Sequence, residues 1–206
     1  MISPIRLLLI TDRDVCPDLT AGITSAIRGG GRHILLREKG LTGAPLLTLA
    51  EALRRLTRQQ GAQLLIHDRV DVALAVEAEG VHLPESGLPT HIARKLLGKE
   101  KIVGRSCHDL EGACHALVEG ADYVTLSPLF PTHSHPHATP LGITEFTQLR
   151  TQIPGPVLAL GGITPENAAQ VPATGADGVA LIRGVLDAPD PGKAAREILG
   201  CLDGSK

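Results

Sequence analysis

A loop rich in hydroxyl and imidazole side chains follows the apolar segment 122–126 and spans residues 127–139. Its proton-carrying residues are Ser127, Thr132, His133, Ser134, His135 and His137. Its prolines fix φ and favour an ordered loop over a flexible linker. Because imidazoles titrate near neutral pH, the loop predicts general acid–base chemistry, with His133 and His135 as candidate catalytic residues.

The alternation of His133, His135 and His137 would place three imidazoles on one side of an extended loop. With Asp68 or Glu85 they could bind zinc or another divalent ion. This spacing lacks the helical geometry of a metalloprotease motif, so the pattern favours acid–base chemistry over a metal site. Solvated loop histidines are the structural alternative for at least two of the three.

Two glycine-containing segments predict a phosphate site. Gly161 and Gly162 are adjacent, and Ile182 and Arg183 end the next apolar segment along the chain. Glycines let backbone N–H groups approach an anion closely, and a guanidinium could bind the same anion. The alternative is that the glycines only make tight turns.

Three cationic side chains, Arg37, Lys39 and Arg69, follow the second and third apolar segments. They predict a second anionic or electron-rich part of the substrate. Structural salt bridges with Glu38, Asp68 or Asp71 are the alternative. Ser106 and His108 do not form a nucleophile elbow, and no acidic partner is evident, so the sequence does not favour a hydrolase.

Short apolar segments alternate with amphipathic ones about every 25 residues. The predicted strands are 6–11, 33–36, 62–66, 80–83, 101–104, 122–126, 157–160 and 178–181, and the predicted helices are 46–59, 70–79, 91–97, 110–119, 143–151, 165–171 and 192–202. This alternation predicts an α/β fold, a closed (βα)8 TIM barrel in one domain, 1–206. An open doubly wound sheet would need a glycine-rich loop after its first strand, and no GxGxxG occurs there. In such barrels, functional residues collect at the C-terminal ends of the strands.

Composition narrows the class of protein further. Hydrophobic residues make up 43% of the chain and aromatic residues only 1%, which predicts an aliphatic core. The net charge of −2 and the absence of a basic stripe argue against nucleic-acid binding. No apolar run is long enough to span a membrane, and the first apolar run is too short for a signal peptide. Four scattered cysteines predict reduced thiols and a cytoplasmic protein.

Seven segments in the expected order resemble the thiamine phosphate synthase/TenI family. They are LLLITD (7–12), LLREK (35–39), HDRVDVALAVEAEGVHLPE (67–85), GRSCH (104–108), GADYVTLSPLFPT (120–132), LALGGITPEN (158–167) and GADGVALI (175–182). The resemblance implies a barrel that binds a thiazole phosphate through the Gly161-Gly162 and strand-8 loops. Synthases of the family join a pyrimidine methylene to the thiazole nitrogen with release of pyrophosphate, using Mg2+. TenI-type members move a proton on a thiazole phosphate carboxylate without metal.

Positions retained from the synthases are Arg37, Lys39, Asp68, Arg69, Ser106, Thr132, Gly161 and Gly162, with Ser134 replacing a threonine. The resemblance assigns substrate binding to the side chains of this set, adds Ser106 to the candidate catalytic residues, and makes Asp68 a Mg2+ ligand if the chain is a synthase. Four synthase positions differ. Leu35 replaces glutamine, His67 replaces asparagine, Gly87 falls near the second Mg-binding aspartate, and His135 replaces lysine.

These departures remove a carboxylate, an amide and a permanent charge from the pyrophosphate side of the site. They favour a TenI-like tautomerase without a cofactor, in which His135, His133 or His67 moves the proton, although the TenI catalytic histidine is replaced by Pro128. A divergent synthase using Mg2+ and a pyrimidine pyrophosphate is the alternative, and a non-catalytic thiazole phosphate-binding barrel is a third. The resemblance also predicts self-association into a homo-oligomer.

Overall fold

Eight parallel strands form a closed barrel in the computed structural model, which describes residues 4–132 and 136–203. Each strand pairs with the next in the chain, and β8 pairs with β1 to close the sheet. The strands are β1 Leu7–Ile10, β2 His33–Leu36, β3 Gln63–His67, β4 Gly80–Leu83, β5 Ile102–Cys107, β6 Tyr123–Leu126, β7 Val157–Leu160 and β8 Gly178–Leu181. The predicted (βα)8 fold is therefore confirmed.

Helices follow the strands around the outside of the barrel. They are α1 Leu19–Arg28, α2 Gly43–Gln59, α3 Val70–Ala75, α4 Thr90–Leu97, α5 Leu110–Val118, α6 Gly142–Arg150, α7 Arg183–Leu186 and α8 Pro191–Asp203. A 3-10 helix, Ala168–Thr174, stands between β7 and β8. The four cysteines are free thiols.

Several helical segments differ from the prediction: the four-residue helix α7 was not predicted, and α3 ends at Ala75 and not at residue 79. Helix α1 was not predicted, because its threonines, glycine and serine have modest or low helix propensity and obscure the apolar face. Asp18 caps it by accepting a hydrogen bond from the N–H of Ala21 at 3.0 Å. The predicted helix 165–171 is instead the 3-10 helix, which contains Pro172, a residue without the N–H that an α-helix interior needs. Strand β5 also runs three residues further than predicted, and this places Ser106 inside the sheet.

Aliphatic side chains fill both layers of the core. The barrel interior is packed by Ile5, Leu8, Ile10, Leu35, Leu65, Ile102, Tyr123, Leu158 and Ala180. The second, larger cluster lies between the strands and the surrounding helices. Because side chains alternate along a strand, Leu8 points inward while Leu7 and Leu9 face the helices.

The N-terminal ends of the strands carry a contact that occurs three times. An acidic residue just before β4, β6 and β8 accepts a hydrogen bond from a backbone N–H of the preceding strand and pairs with an arginine of a helix. The three sets are Glu79 with Leu64 and Arg54, Asp122 with Val103 and Arg94, and Asp177 with Val157 and Arg150. All three backbone hydrogen bonds measure 2.8 Å. We call these contacts the strand-start ion pairs.

In the ranges 4–132 and 136–203, no helix combines the length and apolarity that a membrane span requires.

Candidate functional site

The polar residues that the sequence singled out lie at the C-terminal mouth of the barrel, as the fold requires. Arg37 and Lys39 follow β2, Asp68 and Arg69 follow β3, and Ser106 lies near the end of β5. Gly161 and Gly162 follow β7, and Ile182 and Arg183 follow β8. His133, Ser134 and His135 fall outside the described residues. The predictions for these three stay predictions.

A hydrogen-bonded chain of three side chains lies beneath the mouth. The Nδ1 atom of His82 lies 2.9 Å from the hydroxyl of Tyr123, and its Nε2 atom lies 2.9 Å from the hydroxyl of Ser106. His82 and Tyr123 are 3% and 2% exposed. Burial lowers the pKa of His82 to about 3, so the imidazole is neutral near pH 7 and a weak base. Ser106 therefore has a histidine neighbour that does not activate it as a nucleophile.

His67 lies beside this chain at the end of β3. Its ring stacks on that of His82 with centroids 6.4 Å apart. Burial, together with the positive charge of Arg37, lowers the pKa of His67 to about 4. Its Nδ1 atom is buried without a hydrogen-bond partner among the described residues. At neutral pH His67 therefore presents an uncharged imidazole, with a free polar atom, beside the mouth.

Arg37 and Lys39 are cations without a carboxylate partner. Neither forms an ion pair within the part of the chain that the structure describes. Arg37 is held by its backbone, whose N–H donates to the hydroxyl of Thr11 at 2.9 Å. Burial lowers the pKa of Arg37, with Asp12 and Glu38 opposing that effect. The structural salt bridges considered as an alternative are therefore not made by these two residues.

Arg69 and Glu38, in contrast, are paired. Arg69 donates to both carboxylate oxygens of Asp71, at 2.8 and 2.6 Å. This side-chain hydrogen bond raises the pKa of Arg69. Arg13 donates to Glu38 at 3.2 Å. The structural alternative thus describes Arg69, whose guanidinium is engaged with its own helix α3.

Asp68 carries the carboxylate that the resemblance assigns to Mg2+. Its φ of 61° is a left-handed value that glycine, asparagine and aspartate adopt more readily than other residues, and it turns the chain sharply after β3. The backbone N–H of Asp68 donates to the carbonyl of His82 at 3.0 Å. A β-carbon placed on Gly87 would lie 2.8 Å from Asp68 Oδ1. Position 87 is therefore adjacent to the Asp68 carboxylate in space.

The Gly161-Gly162 turn is packed against the loop that follows β6. Both glycines have positive φ, 107° and 64°. A β-carbon on Gly161 would lie 2.8 Å from Pro128 Cβ, and one on Gly162 would overlap the carbonyl oxygen of Pro131. The N–H of Phe130 also donates to the carbonyl of Gly161 at 3.1 Å. Tight packing alone therefore requires both glycines, whether or not they bind phosphate.

Asn167 organises the same turn, and the sequence did not single it out as a site residue. Its side-chain amide donates to the carbonyl of Gly162 at 2.8 Å, and its Oδ1 accepts from the N–H of Thr164 at 2.9 Å. Next to it, a β-carbon on Gly184 would lie 2.5 Å from the carbonyl of Ile163. The loops after β7 and β8 are therefore in close contact, as a shared anion site would need.

Arg183 forms an ion pair with Asp187, one turn further along at the end of its own helix α7. Its Nη1 atom lies 3.3 Å from Asp187 Oδ2, and both side chains are about half exposed. This contact is of the exposed i,i+4 kind, whose contribution is small, about 0.3–0.5 kcal/mol. The predicted phosphate contact of Arg183 would require it to leave this partner.

His82 and Tyr123 are polar groups of the mouth region that the sequence did not single out. Both lie within apolar segments, VHL and YVTL, that the sequence predicts to be buried strands. The available signal was a histidine at an inward-facing strand position, together with the only tyrosine of the chain. The pairing of the two across β5 depends on barrel register, which the local sequence does not specify.

Fold and site together define a (βα)8 barrel protein with unpaired cations and neutral histidines at the C-terminal mouth. Residues 7–185 match the family described as thiamine monophosphate synthase. A thiamine-phosphate synthase of Moorella thermoacetica is 44% identical over 177 residues, which cover 85% of this chain and 84% of the relative. A protein of Geobacter sulfurreducens, provisionally named a thiamine-phosphate synthase, is 47% identical over 199 residues, covering 95% of this chain and 93% of that one.

A solved structure agrees with these relatives. Thiamine phosphate pyrophosphorylase from Pyrococcus furiosus superimposes with a TM-score of 0.88 at 35% identity, covering 97% of this chain and 96% of that one. The chain belongs to the thiamine monophosphate synthase family. The predicted membership of the family and the prediction that the chain is an enzyme are thereby confirmed.

Proposed function

We propose that the chain is a thiamine phosphate synthase, which couples hydroxymethylpyrimidine pyrophosphate to thiazole phosphate. The observation that carries this proposal is the similarity to relatives named for that activity, at 44% identity over 85% of the chain in the Moorella case. In the reaction, the thiazole nitrogen supplies the electron pair for the new C–N bond. The bond between the pyrimidine methylene carbon and a pyrophosphate oxygen breaks, and pyrophosphate leaves with the electron pair of that broken bond.

This proposal revises the leading interpretation of the sequence, a TenI-like tautomerase. The comparisons favour the synthase alternative, and the environment of His67 agrees with them. A proton shuttle works best with a pKa near the operating pH, whereas the pKa of His67 is lowered to about 4. A neutral imidazole at this position can instead donate or accept a hydrogen bond, as the amide of an asparagine would.

The unpaired cations support the handling of a polyanion. Arg37 and Lys39 have no carboxylate partner in the described chain, so a pyrophosphate could bind them without breaking an existing ion pair. Arg37 is half-buried and desolvated, which strengthens its interaction with an anion. The two cations would bind the leaving group and stabilise the charge that develops on it. Thiazole phosphate would bind at the Gly161-Gly162 and strand-8 loops.

Mg2+ is part of the proposal, and the donor set is compatible with it. Among residues 4–132 and 136–203, no three histidine, cysteine or acidic side chains are grouped so as to hold a metal. Mg2+ commonly binds through one or two carboxylates, several waters and substrate phosphate oxygens, so a single carboxylate is sufficient when the substrate brings the other ligands. Asp68 would hold the ion, which when bound supplies positive charge to the leaving pyrophosphate. Self-association and a cytoplasmic location belong to the proposal as well.

The test is a coupling assay with both substrates and Mg2+, followed by chromatographic detection of thiamine phosphate. We expect product that depends on both substrates and disappears with EDTA. Asp68→Asn is expected to raise the Mg2+ concentration needed for half-maximal rate, while Glu197→Gln, at an exposed position on helix α8, is not. Retained binding of thiazole phosphate without product would reject the synthase, and absence of turnover of the thiazole phosphate carboxylate tautomer as well would favour a non-catalytic binding barrel.

A further inference from the structure

The Tyr123–His82–Ser106 chain has a defined direction. Tyr123 lies within the apolar cluster of the barrel interior, and the only hydrogen-bond partner that the described structure gives its hydroxyl is His82 Nδ1. A buried O–H without an acceptor costs about 1–3 kcal/mol, so the hydroxyl donates to Nδ1. Nδ1 is then the acceptor nitrogen of the neutral ring, and the proton is on Nε2.

This tautomer determines how Ser106 is used. With its proton on Nε2, His82 donates to the Ser106 oxygen, 2.9 Å away. The hydroxyl hydrogen of Ser106 is then not used in the hydrogen bond with His82, and Ser106 can donate it to another acceptor. In the opposite tautomer, Ser106 would have to donate to Nε2, and its hydrogen would be consumed inside the protein.

The glycine in the middle of β5 is required for this arrangement. Gly104 lies between the strands that carry His82 and Tyr123, with His82 as its neighbour on β4 and Tyr123 as its neighbour on β6. A β-carbon on Gly104 would overlap Tyr123 Cζ and lie 2.6 Å from His82 Nδ1. Since the hydrogen bond passes over this position, any other residue at 104 would displace it. The hydrogen bond between Tyr123 and His82 therefore depends on the absence of a side chain at position 104.

We propose that Tyr123 is a positioning residue which, through His82, fixes Ser106 as a hydrogen-bond donor toward the bound substrate. The substrate group opposite Ser106 is then an acceptor that carries a lone pair and no hydrogen, such as a ring nitrogen or a phosphoryl oxygen. The substrate part of this inference rests on the proposed synthase function. The tautomer part does not.

The first test is 15N NMR of the imidazoles in the unliganded protein at pH 7, with His82 assigned from the spectrum of His82→Gln. We expect His82 to show a protonated Nε2 and an unprotonated Nδ1. In Tyr123→Phe the donor to Nδ1 is lost, and we expect the other tautomer to become populated. A protonated Nδ1 in the unaltered protein would overturn the proposal, and this readout requires no turnover.

The second test is kinetic. Loss of one neutral hydrogen bond corresponds to roughly a threefold to tenfold effect, so we expect Ser106→Ala and Tyr123→Phe each to raise KM for one substrate by about that factor. The double variant should be no worse than Ser106→Ala, since both changes remove the same donor. Additive effects would overturn the proposal. Leu158→Val alters the same interior cluster without a polar contact and should lower stability while leaving KM unchanged.

These two tests separate the inference from the proposed function. If the unaltered protein forms no thiamine phosphate, the synthase proposal fails while the NMR result still decides the direction of the hydrogen-bonded chain. If product forms but His82 carries its proton on Nδ1, the proposed role of Tyr123 fails and the synthase proposal stands. Gly104→Ala provides a third variant, for which the same tautomer change as in Tyr123→Phe is expected.

Discussion

The two ends of the barrel use charged residues in opposite ways. At the strand starts, Glu79, Asp122 and Asp177 each pair with an arginine and also accept a backbone N–H. At the mouth, Arg37 has no ion-pair partner in the described chain. The buried Nδ1 atom of His67 has no hydrogen-bond partner there. The three strand-start carboxylates are thus paired within the protein, although His33 Nε2 and Gln63 Oε1 are buried at the same end without a hydrogen-bond partner among the described residues. At the mouth, Arg37 and Lys39 have no carboxylate partner in the described chain, as cations that bind an anionic ligand should.

This difference predicts a separation of stability from function around the same sheet. Charges that are paired within the fold stabilise it, because removal of one partner leaves the other desolvated and alone. Charges without partners cost stability and are explained by a ligand that supplies the missing contact. Substitutions at the strand starts should therefore lower stability and leave activity unchanged, and substitutions at the mouth should do the reverse.

The largest effect is expected from Asp122→Ala at the lower end. The change removes the carboxylate partner of Arg94 and the acceptor of the Val103 N–H, while Arg94 keeps its hydrogen bonds to backbone carbonyls of the neighbouring loops. We expect the free energy of unfolding to fall by about 3 kcal/mol, with kcat and KM of the folded fraction unchanged. Urea denaturation measures the first quantity and steady-state kinetics the second.

The control for Asp122→Ala is Glu197→Ala, which breaks an exposed pair with Lys193 on helix α8. Its effect should stay within about 0.5 kcal/mol. Equal effects of the two variants would show that the strand-start ion pairs are no different from surface pairs, and the contrast between the two ends of the barrel would fail.

Arg37→Met at the mouth is the complementary substitution. Because burial lowers the pKa of Arg37 and no carboxylate pairs with it, the charged group costs stability where it stands. We expect the free energy of unfolding to stay the same or rise by up to about 1 kcal/mol, while kcat/KM falls about 100-fold, or roughly 2.7 kcal/mol.

Arg94→Met makes the same chemical change at the lower end and serves as the matched control. It should reverse the pattern, with lost stability and retained kinetics, because Arg94 pairs with Asp122. If Arg37→Met unfolded the protein and kept its activity, the assignment of the mouth to anion binding would be wrong.

Buried histidines occur at both ends and predict a common response to acid. The pKa values of His33 and His67 are lowered to about 4, with burial as the largest cause. In the unfolded chain these groups take up a proton below about pH 6.5, whereas the folded protein resists it until about pH 4. Between those pH values the unfolded state binds more protons, so stability is full above about pH 6.5 and falls as the pH is lowered.

His33→Gln isolates one of these groups, at the lower end and away from the mouth. We expect the pH dependence of unfolding between pH 6.5 and 4 to become shallower by up to about 1.4 kcal/mol per pH unit. Denaturant titrations at several pH values measure the slope. An unchanged slope in His33→Gln would contradict the assigned burial effect.

The fold could be predicted because strand and helix periodicity is local, and seven motifs of one family lie in order along the chain. The mouth could be predicted in outline for the same reason, since residues after each strand converge in any such barrel. The hydrogen bond between His82 and Tyr123 could not, because it joins β4 to β6 across Gly104 and depends on register. The sequence left two interpretations of Arg69 open, substrate binding and a structural salt bridge, and only the structure shows its pairing with Asp71.

The smallest predicted effect concerns the second carboxylate that the family resemblance places near Gly87. Because a β-carbon at this position would lie 2.8 Å from both Asp68 Oδ1 and the Pro84 ring, an aspartate there must displace these neighbours slightly and would then lie beside Asp68. Gly87→Asp should lower the Mg2+ concentration for half-maximal rate by roughly two- to fivefold, as about 0.2–1 kcal/mol from an exposed charge allows. Gly87→Asn provides the control, with the same size and no charge. Equal effects of both variants would mean that shape at position 87, and not a missing charge, distinguishes this mouth from that of other synthases.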